Sequence, residues 1–208
     1  LKTEFNVKAN RIINDNLATG LFVYGTYNGF KSFDHLGNNG KGDGFRDYPA
    51  QTQINVANRW NYEVHDGLCS QTLINYTHED RLGGQMAFTK DMKGSDSIYG
   101  LGGTVDRVHF FTKNGAPIGN TSSFGTQLSA TYFKQDAFYG LSNYEGVETD
   151  VYANALVNTM VRGGHNVDFG ASFRYTDLEE NLYSTPYIGA NQFISNLQEG
   201  DLRANFIK

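Results

Sequence analysis

The side chains best equipped for chemistry fall into a few short runs. Asp34, Asn38, Asn39, Asp43 and Asp47, with Gly44 following Asp43, form an oxygen-rich acidic stretch. Hard cations take several carboxylate and carbonyl oxygens, and a glycine permits the sharp turn that converges them. Calcium is therefore the one cofactor the chain suggests, with Asp34, Asn39, Asp43 and Asp47 as its candidate ligands. The spacing departs from the helical-hand calcium loop and lacks its closing bidentate glutamate, and a solvated acidic loop would need no ion at all. A second run, His78-Glu79-Asp80-Arg81, sets an imidazole beside two carboxylates, which is the equipment of a general base. No serine or cysteine stands at a recognisable spacing from it and no nucleophile elbow occurs, so an enzyme is not expected. His78 and Arg81 read better as rim groups for an anionic ligand. Tyr99, Phe138, Tyr139, Tyr144, Tyr183 and Tyr187 offer ring faces on which a ligand could stack. Cys69 is the single cysteine, which excludes an internal disulfide and a thiolate metal cluster; it is expected as a small thiol inside the structure. The ligand-binding candidates are thus His78, Arg81, Tyr99, Tyr139, Tyr144 and Tyr183.

The elements that must position these groups announce themselves by period. Over 51–63, Thr52, Ile54, Val56, Trp60 and Tyr62 alternate with Gln51, Gln53, Asn55, Arg59, Asn61 and Glu63. Side chains of a strand point to opposite faces in turn, so this is a ribbon with one greasy and one wet face. His65-Asp66-Gly67 is a hairpin turn signal, and 68–78 returns with Leu68, Ile74 and Tyr76 in phase. The same alternation occurs at 1–11, 20–28, 124–133, 147–158 and 167–175, more weakly at 102–112, and again from Asp201 through Leu202, Ala204 and Phe206. Tight turns are expected near Asp15, Asp66, Asn114 and Gly163, and longer loops over 29–50, 79–101, 135–146 and 176–199, with a helical turn conceivable in 188–197. All three prolines, Pro49, Pro117 and Pro186, are assigned to connections, since a proline cannot donate to a ladder.

Composition agrees with an all-β chain. Aromatic residues make up 14% of the 208, glycines number 24 and prolines 3, with little charge. A net charge of −5 argues against nucleic acid as a partner, because no basic patch is left to neutralise phosphates. No run reaches the roughly 18 apolar residues of a membrane helix. Strands that cross a bilayer need only about 9 to 11 residues of alternating polarity, which averaging hides.

Tight turns at one end of a meander and long loops at the other are the pattern of outer-membrane barrels. About nine strands with unfinished ends predict an interior piece of a longer chain, part of a wider cylinder whose aromatics at strand ends, Tyr24, Tyr27, Trp60, Tyr62, Tyr76, Tyr132 and Tyr175, form interfacial girdles. A soluble β-rich carbohydrate-binding module is the alternative; its strands would bury the Val and Phe face against a second sheet.

Several stretches resemble the barrel of TonB-dependent outer-membrane receptors, especially those of the Bacteroidetes kind. They are Thr19-Gly20-Leu21-Phe22, Asp43-Gly44-Phe45-Arg46-Asp47-Tyr48-Pro49, Ile54-Asn55-Val56-Ala57-Asn58-Arg59-Trp60, His78-Glu79-Asp80-Arg81-Leu82-Gly83-Gly84-Gln85, and Arg107-Val108-His109-Phe110-Phe111 with Lys113-Asn114-Gly115. The resemblance implies a transmembrane antiparallel barrel of about 22 strands, of which residues 1–208 would be a partial barrel domain without the plug. It implies a bacterial outer-membrane transporter for a scarce nutrient such as cobalamin or a ferric siderophore. The implied partners are outer-membrane lipid, a TonB energy-coupling protein acting through an N-terminal region outside this sequence, the small-molecule ligand and a surface lipoprotein.

Overall fold

The computed structural model describes every residue except 1, 30–33, 36–39, 65, 185–190 and 208, with the backbone alone at 184 and over Asn191–Ile207. The alternating runs become nine strands: β1 (Thr3–Asn14), β2 (Leu17–Asn28), β3 (Ala50–Glu63), β4 (Cys69–Gly84), β5 (Gly100–Ile118), β6 (Ser122–Tyr139), β7 (Ser142–Val161), β8 (His165–Ser184) and β9 (Asn191–Ile207). They lie in one sheet in chain order, each antiparallel to the next, with β1 and β9 at its edges. The helical element whose residues are all described is the 3-10 turn Lys90–Met92.

Residues directly paired across an antiparallel ladder share a face, so the register sorts the side chains. One row runs Val7, Val23, Val56, Tyr76, Val108, Tyr132; the next on the same face runs Ala9, Leu21, Asn58, Ile74, Phe110, Ala130, Val151, Tyr175. Between these rows, on the opposite face, lie Lys8, Phe22, Ala57, Asn75, His109, Thr131, Asp150 and Thr176. One face is apolar across eight strands and the other mostly polar.

Apart from Phe88, which covers Phe138 near the far end of β6, nothing among the described residues packs on the apolar face. Ile54, Phe169 and Phe173 are 38%, 42% and 42% exposed, and among the described residues the buried hydrophobic ones are Phe88, Ala137 and Phe138. The accessible surface is 14027 Å² for a chain of 23.2 kDa, against about 9,700 Å² for a compact monomer of that mass. The excess is what a single sheet with both faces open produces.

The apolar band does not follow the hydrogen-bonded rows. The row through Val23, inside the band on β2, leaves it at Thr149 and reaches Asp177 on β8, where the apolar residues Phe169, Ala171, Phe173 and Tyr175 all lie on the turn side. The tight turns drift in step. The row through Leu17, next to the first turn, runs through Tyr62, Ser70, Asn114, Thr126 and Ala155 to Ala171, six residues short of the Val161–His165 pair that closes the fourth hairpin. Band and turns therefore descend together by one residue per strand. With about 3.3 Å per residue and about 4.8 Å between strands, that stagger corresponds to a tilt of about 35° from the normal to the band.

Several sequence expectations are corrected. The β5–β6 turn lies at Gly119, with φ of +62°, and not at Asn114-Gly115-Ala116-Pro117. Pro117 is inside β5, beyond the last β4 pair at Gly115, where a missing N–H disturbs only one neighbouring ladder. The loop expected over 135–146 is a tight turn at Gly140-Leu141, and the loops expected to begin at Glu79 and Thr176 are continuations of β4 and β8. Beyond the apolar band both faces carry polar side chains, so the alternation fades while the ladder continues. Residues 191–197 are strand and hold no helical turn; Pro186 and Tyr187 lie outside the described residues. Cys69 is exposed at the start of β4, since the thin sheet has no interior to receive it.

Candidate functional site

The polar face is the concave one. A hollow of about 580 Å³ is bounded chiefly by polar-face residues of β1–β4, among them Lys8, Phe22, Ala57, Arg59, Asn61 and Leu73. A second, of about 410 Å³, stretches from Asn61 on β3 to Asn154 and Leu156 on β7, past Gln71, Lys113 and Gln127. Side chains four strands apart can share a hollow only if the sheet curves toward them.

Amide and hydroxyl groups line this face in cross-strand ladders. Asn55 Nδ2 donates to Thr77 Oγ1 at 2.6 Å, Asn75 Nδ2 to Asn55 Oδ1 at 3.1 Å, and Gln71 Nε2 to Asn61 Oδ1 at 2.8 Å. Its charge is divided. On β7 and β8, Glu148, Asp150, Asp168 and Glu180 predominate, and the Asp150 carboxylate accepts from Arg174 Nε and Thr176 Oγ1 at 2.8 Å each. On β1–β5, Glu4 and Glu79 are held by Lys2 and Arg81, and Glu63 sits at a turn. Lys8, Arg59, Arg107 and Lys113 make no ion pair to any described residue.

At the end of the sheet opposite the β1–β2, β3–β4 and β5–β6 turns, two connections fold together. Phe45 bridges to Gln85, Arg46 N–H donates to the Gly84 carbonyl at 2.9 Å, and Met86 N–H donates to the Gly44 carbonyl at 2.8 Å. Arg46 Nη2 donates to the Phe88 carbonyl at 2.7 Å, and partial burial lowers the pKa of this guanidinium. Phe88, 1% exposed, packs on Phe138 with ring centroids 5.8 Å apart and fills the space left by the missing side chain of Gly100.

The acidic stretch is spent on this loop's own backbone. Asp34 Oδ1 and Oδ2 accept the N–H groups of Asp43 and Gly44 at 2.7 and 2.8 Å, Asp47 Oδ2 accepts from His35 N–H at 2.7 Å, and Asp43 Oδ1 accepts from Phe45 N–H at 3.0 Å. Among the described residues no three His, Cys, Asp or Glu side chains gather as a metal ion would require. Asn38 and Asn39 lie outside the described residues.

The six expected ligand residues do not converge. His78 is on the apolar face of β4, above the band, with Nδ1 2.8 Å from Asp106 Oδ1; Tyr76 OH donates to the same oxygen at 2.9 Å. Arg81, on the polar face, is paired with Glu79. Tyr99 precedes β5 and lies near Phe45, ring centroids 6.4 Å apart. Tyr139, Tyr144 and Tyr183 belong to strands β6, β7 and β8 and not to loops; Tyr144 OH donates to Glu180 Oε1 at 2.7 Å, while Tyr183 is on the other face. Of the aromatics expected at strand ends, Tyr24 turns to the concave face, where its hydroxyl donates to Glu4 at 3.1 Å, and the rest lie on the apolar face.

Sequence reading passed over the unpaired cations of the concave face. Lys8, Arg59 and Lys113 each stand four to six residues from a tight turn. That regularity is legible once the turns are placed, and the misplaced β5–β6 turn concealed it. No family model, no curated protein and no solved structure matches this chain.

Proposed function

We propose that the chain forms part of the wall of an outer-membrane β-barrel belonging to a TonB-dependent transporter, which takes up a scarce nutrient such as cobalamin or a ferric siderophore. The observation that carries the wall reading is the apolar band on the convex face. On β6 it runs from Phe124 through Thr126, Leu128 and Ala130 to Tyr132, about 26 Å along the strand and about 22 Å once tilted, close to the hydrocarbon belt of such barrels. Among the described residues no charged side chain falls inside it: Arg11 lies below it and His78, Asp106, Lys134 and Asp177 above. The polar groups it does contain are bonded to one another, as a medium without water demands. Thr72 and Thr112 hydroxyls are 3.1 Å apart, and Asn58 Nδ2 donates to Thr19 Oγ1 at 3.2 Å and to the Gly20 carbonyl at 3.1 Å. The free ladders of β1 and β9 are completed by other strands of the cylinder. The transporter assignment rests on the stretches that resemble that receptor family.

Cell fractionation with detergent extraction tests the wall, and uptake of radiolabelled cobalamin and ferric siderophore by cells with and without the protein tests the cargo. The protein should partition with the outer membrane, require detergent for extraction, and be needed for high-affinity accumulation of one of the two. A monomer that stays soluble without detergent would instead favour the carbohydrate-binding module.

A further inference from the structure

We infer that the hollow between β1 and β4 on the concave face is a binding site for an organic anion with an apolar body and acid groups about 12 Å apart, the span of two strands across and two residues along. The inference rests on the wall reading, because only a tilted wall places its cations at one depth. Lys8 shares a row with Phe22 and Ala57, Arg59 lies one polar-face row nearer the turns, and Lys113 one further row down, on β1, β3 and β5 in that order. Two residues for every two strands is the stagger already found for the band and the turns. The three cations therefore form a level line along the inside of the wall, and none is neutralised by a described carboxylate.

The floor between the first two is apolar and small. Phe22, Ala57 and Leu73 line the hollow, and at Gly20 a side chain would begin 2.8 Å from Asn10 Oδ1, so the glycine keeps the space above it open. A bare phosphate would leave this floor wetted and unused. A neutral lipid-like body would leave Lys8 and Arg59, with Arg11 at the turn-side rim of the same hollow, uncompensated. An amphipathic dianion uses both: its acid groups meet Lys8 and Arg59 as charge-assisted hydrogen bonds, and its body covers Phe22, Ala57 and Leu73. Lys113, at the same level beside the second hollow, offers the next position along the wall.

Titration calorimetry on the detergent-solubilised full-length protein tests the site, with sebacate as probe, succinate as a shorter dianion and sebacamide as the neutral analogue. Sebacate should bind saturably, succinate at least tenfold more weakly and sebacamide not at all. Lys8→Gln and Arg59→Gln should each weaken sebacate at least tenfold, Arg59→Lys should restore most of the loss, and Lys134→Gln, on the convex face, should change nothing. Ala57→Leu, which fills the hollow with every charge kept, should also abolish binding. Should Arg59→Gln fail to fold, Lys8→Gln and Ala57→Leu read the same site. Absent saturation by sebacate, equal binding of succinate, or indifference to Ala57→Leu overturns the inference. A protein that fails in these ways yet still requires detergent leaves the wall standing, whereas one soluble without detergent removes the wall itself.

Discussion

At the residue scale, hydrogen bonding inside the apolar band carries a sharp expectation. Thr72 and Thr112 satisfy each other at 3.1 Å, and Thr112 is 9% exposed. Replacing one hydroxyl leaves the other without a partner, at a cost of about 1–3 kcal/mol, whereas removing both is close to neutral. Thr112→Val should therefore lower stability measurably and the Thr72→Val/Thr112→Val pair should recover most of it, as a double-mutant cycle of unfolding free energies would read. Gly100 makes a second case. A side chain there would begin 2.2 Å from the Phe88 ring, so Gly100→Val should displace the buried Phe88, at about 1–3 kcal/mol. Limited trypsinolysis should then cut faster at Lys90 and Lys93. Little of this was legible in sequence. His78 and Arg81 were noticed because their types are reactive, yet register sends them to opposite faces, and a spacing read as one cluster cannot show that until pairing is known.

At the element scale, the strands were legible wherever one face is apolar and the other polar. The β3 alternation from Thr52 to Tyr62 and the β8 alternation from Phe169 to Phe173 survive intact. Strand ends were not legible. Gln135 to Gly146 looks like a loop because polar and apolar side chains are mixed on both faces, and Asn114, Gly115 and Pro117 look like a turn although Asn114 serves the ladder, accepting from Ser70 Oγ at 2.6 Å and donating to Thr126 Oγ1 at 3.2 Å. Breaker residues mark a turn only when nothing across the ladder employs them. The two faces of β6 make opposite predictions for one substitution. Leu128→Arg, at mid-band, should cost about 2–4 kcal/mol in lipid, while Ser129→Arg, its neighbour on the concave face, should stay within about 0.5 kcal/mol. Urea unfolding in phospholipid vesicles measures both.

At the scale of the whole molecule, the meander, its order and its open form follow from hairpin after hairpin, and the all-β class was visible from the start. The alternation of short turns with long loops was only half right: it holds through β5 and fails at the β6–β7 turn. What sequence could not show is the stagger, since one residue per strand emerges only from register summed across the sheet. That stagger predicts a strand tilt of about 35°, which polarised infrared dichroism of oriented bilayers would report. The account stands or falls on which medium each face meets. A nitroxide scan of single-cysteine variants from Phe124 to Tyr132, in a Cys69→Ser background and reconstituted in bilayers, addresses that directly. Oxygen accessibility should peak at positions 124, 126, 128, 130 and 132, and a water-soluble nickel chelate should peak at the positions between them. Accessibility without that two-residue alternation, or convex positions shielded from both quenchers, would contradict it.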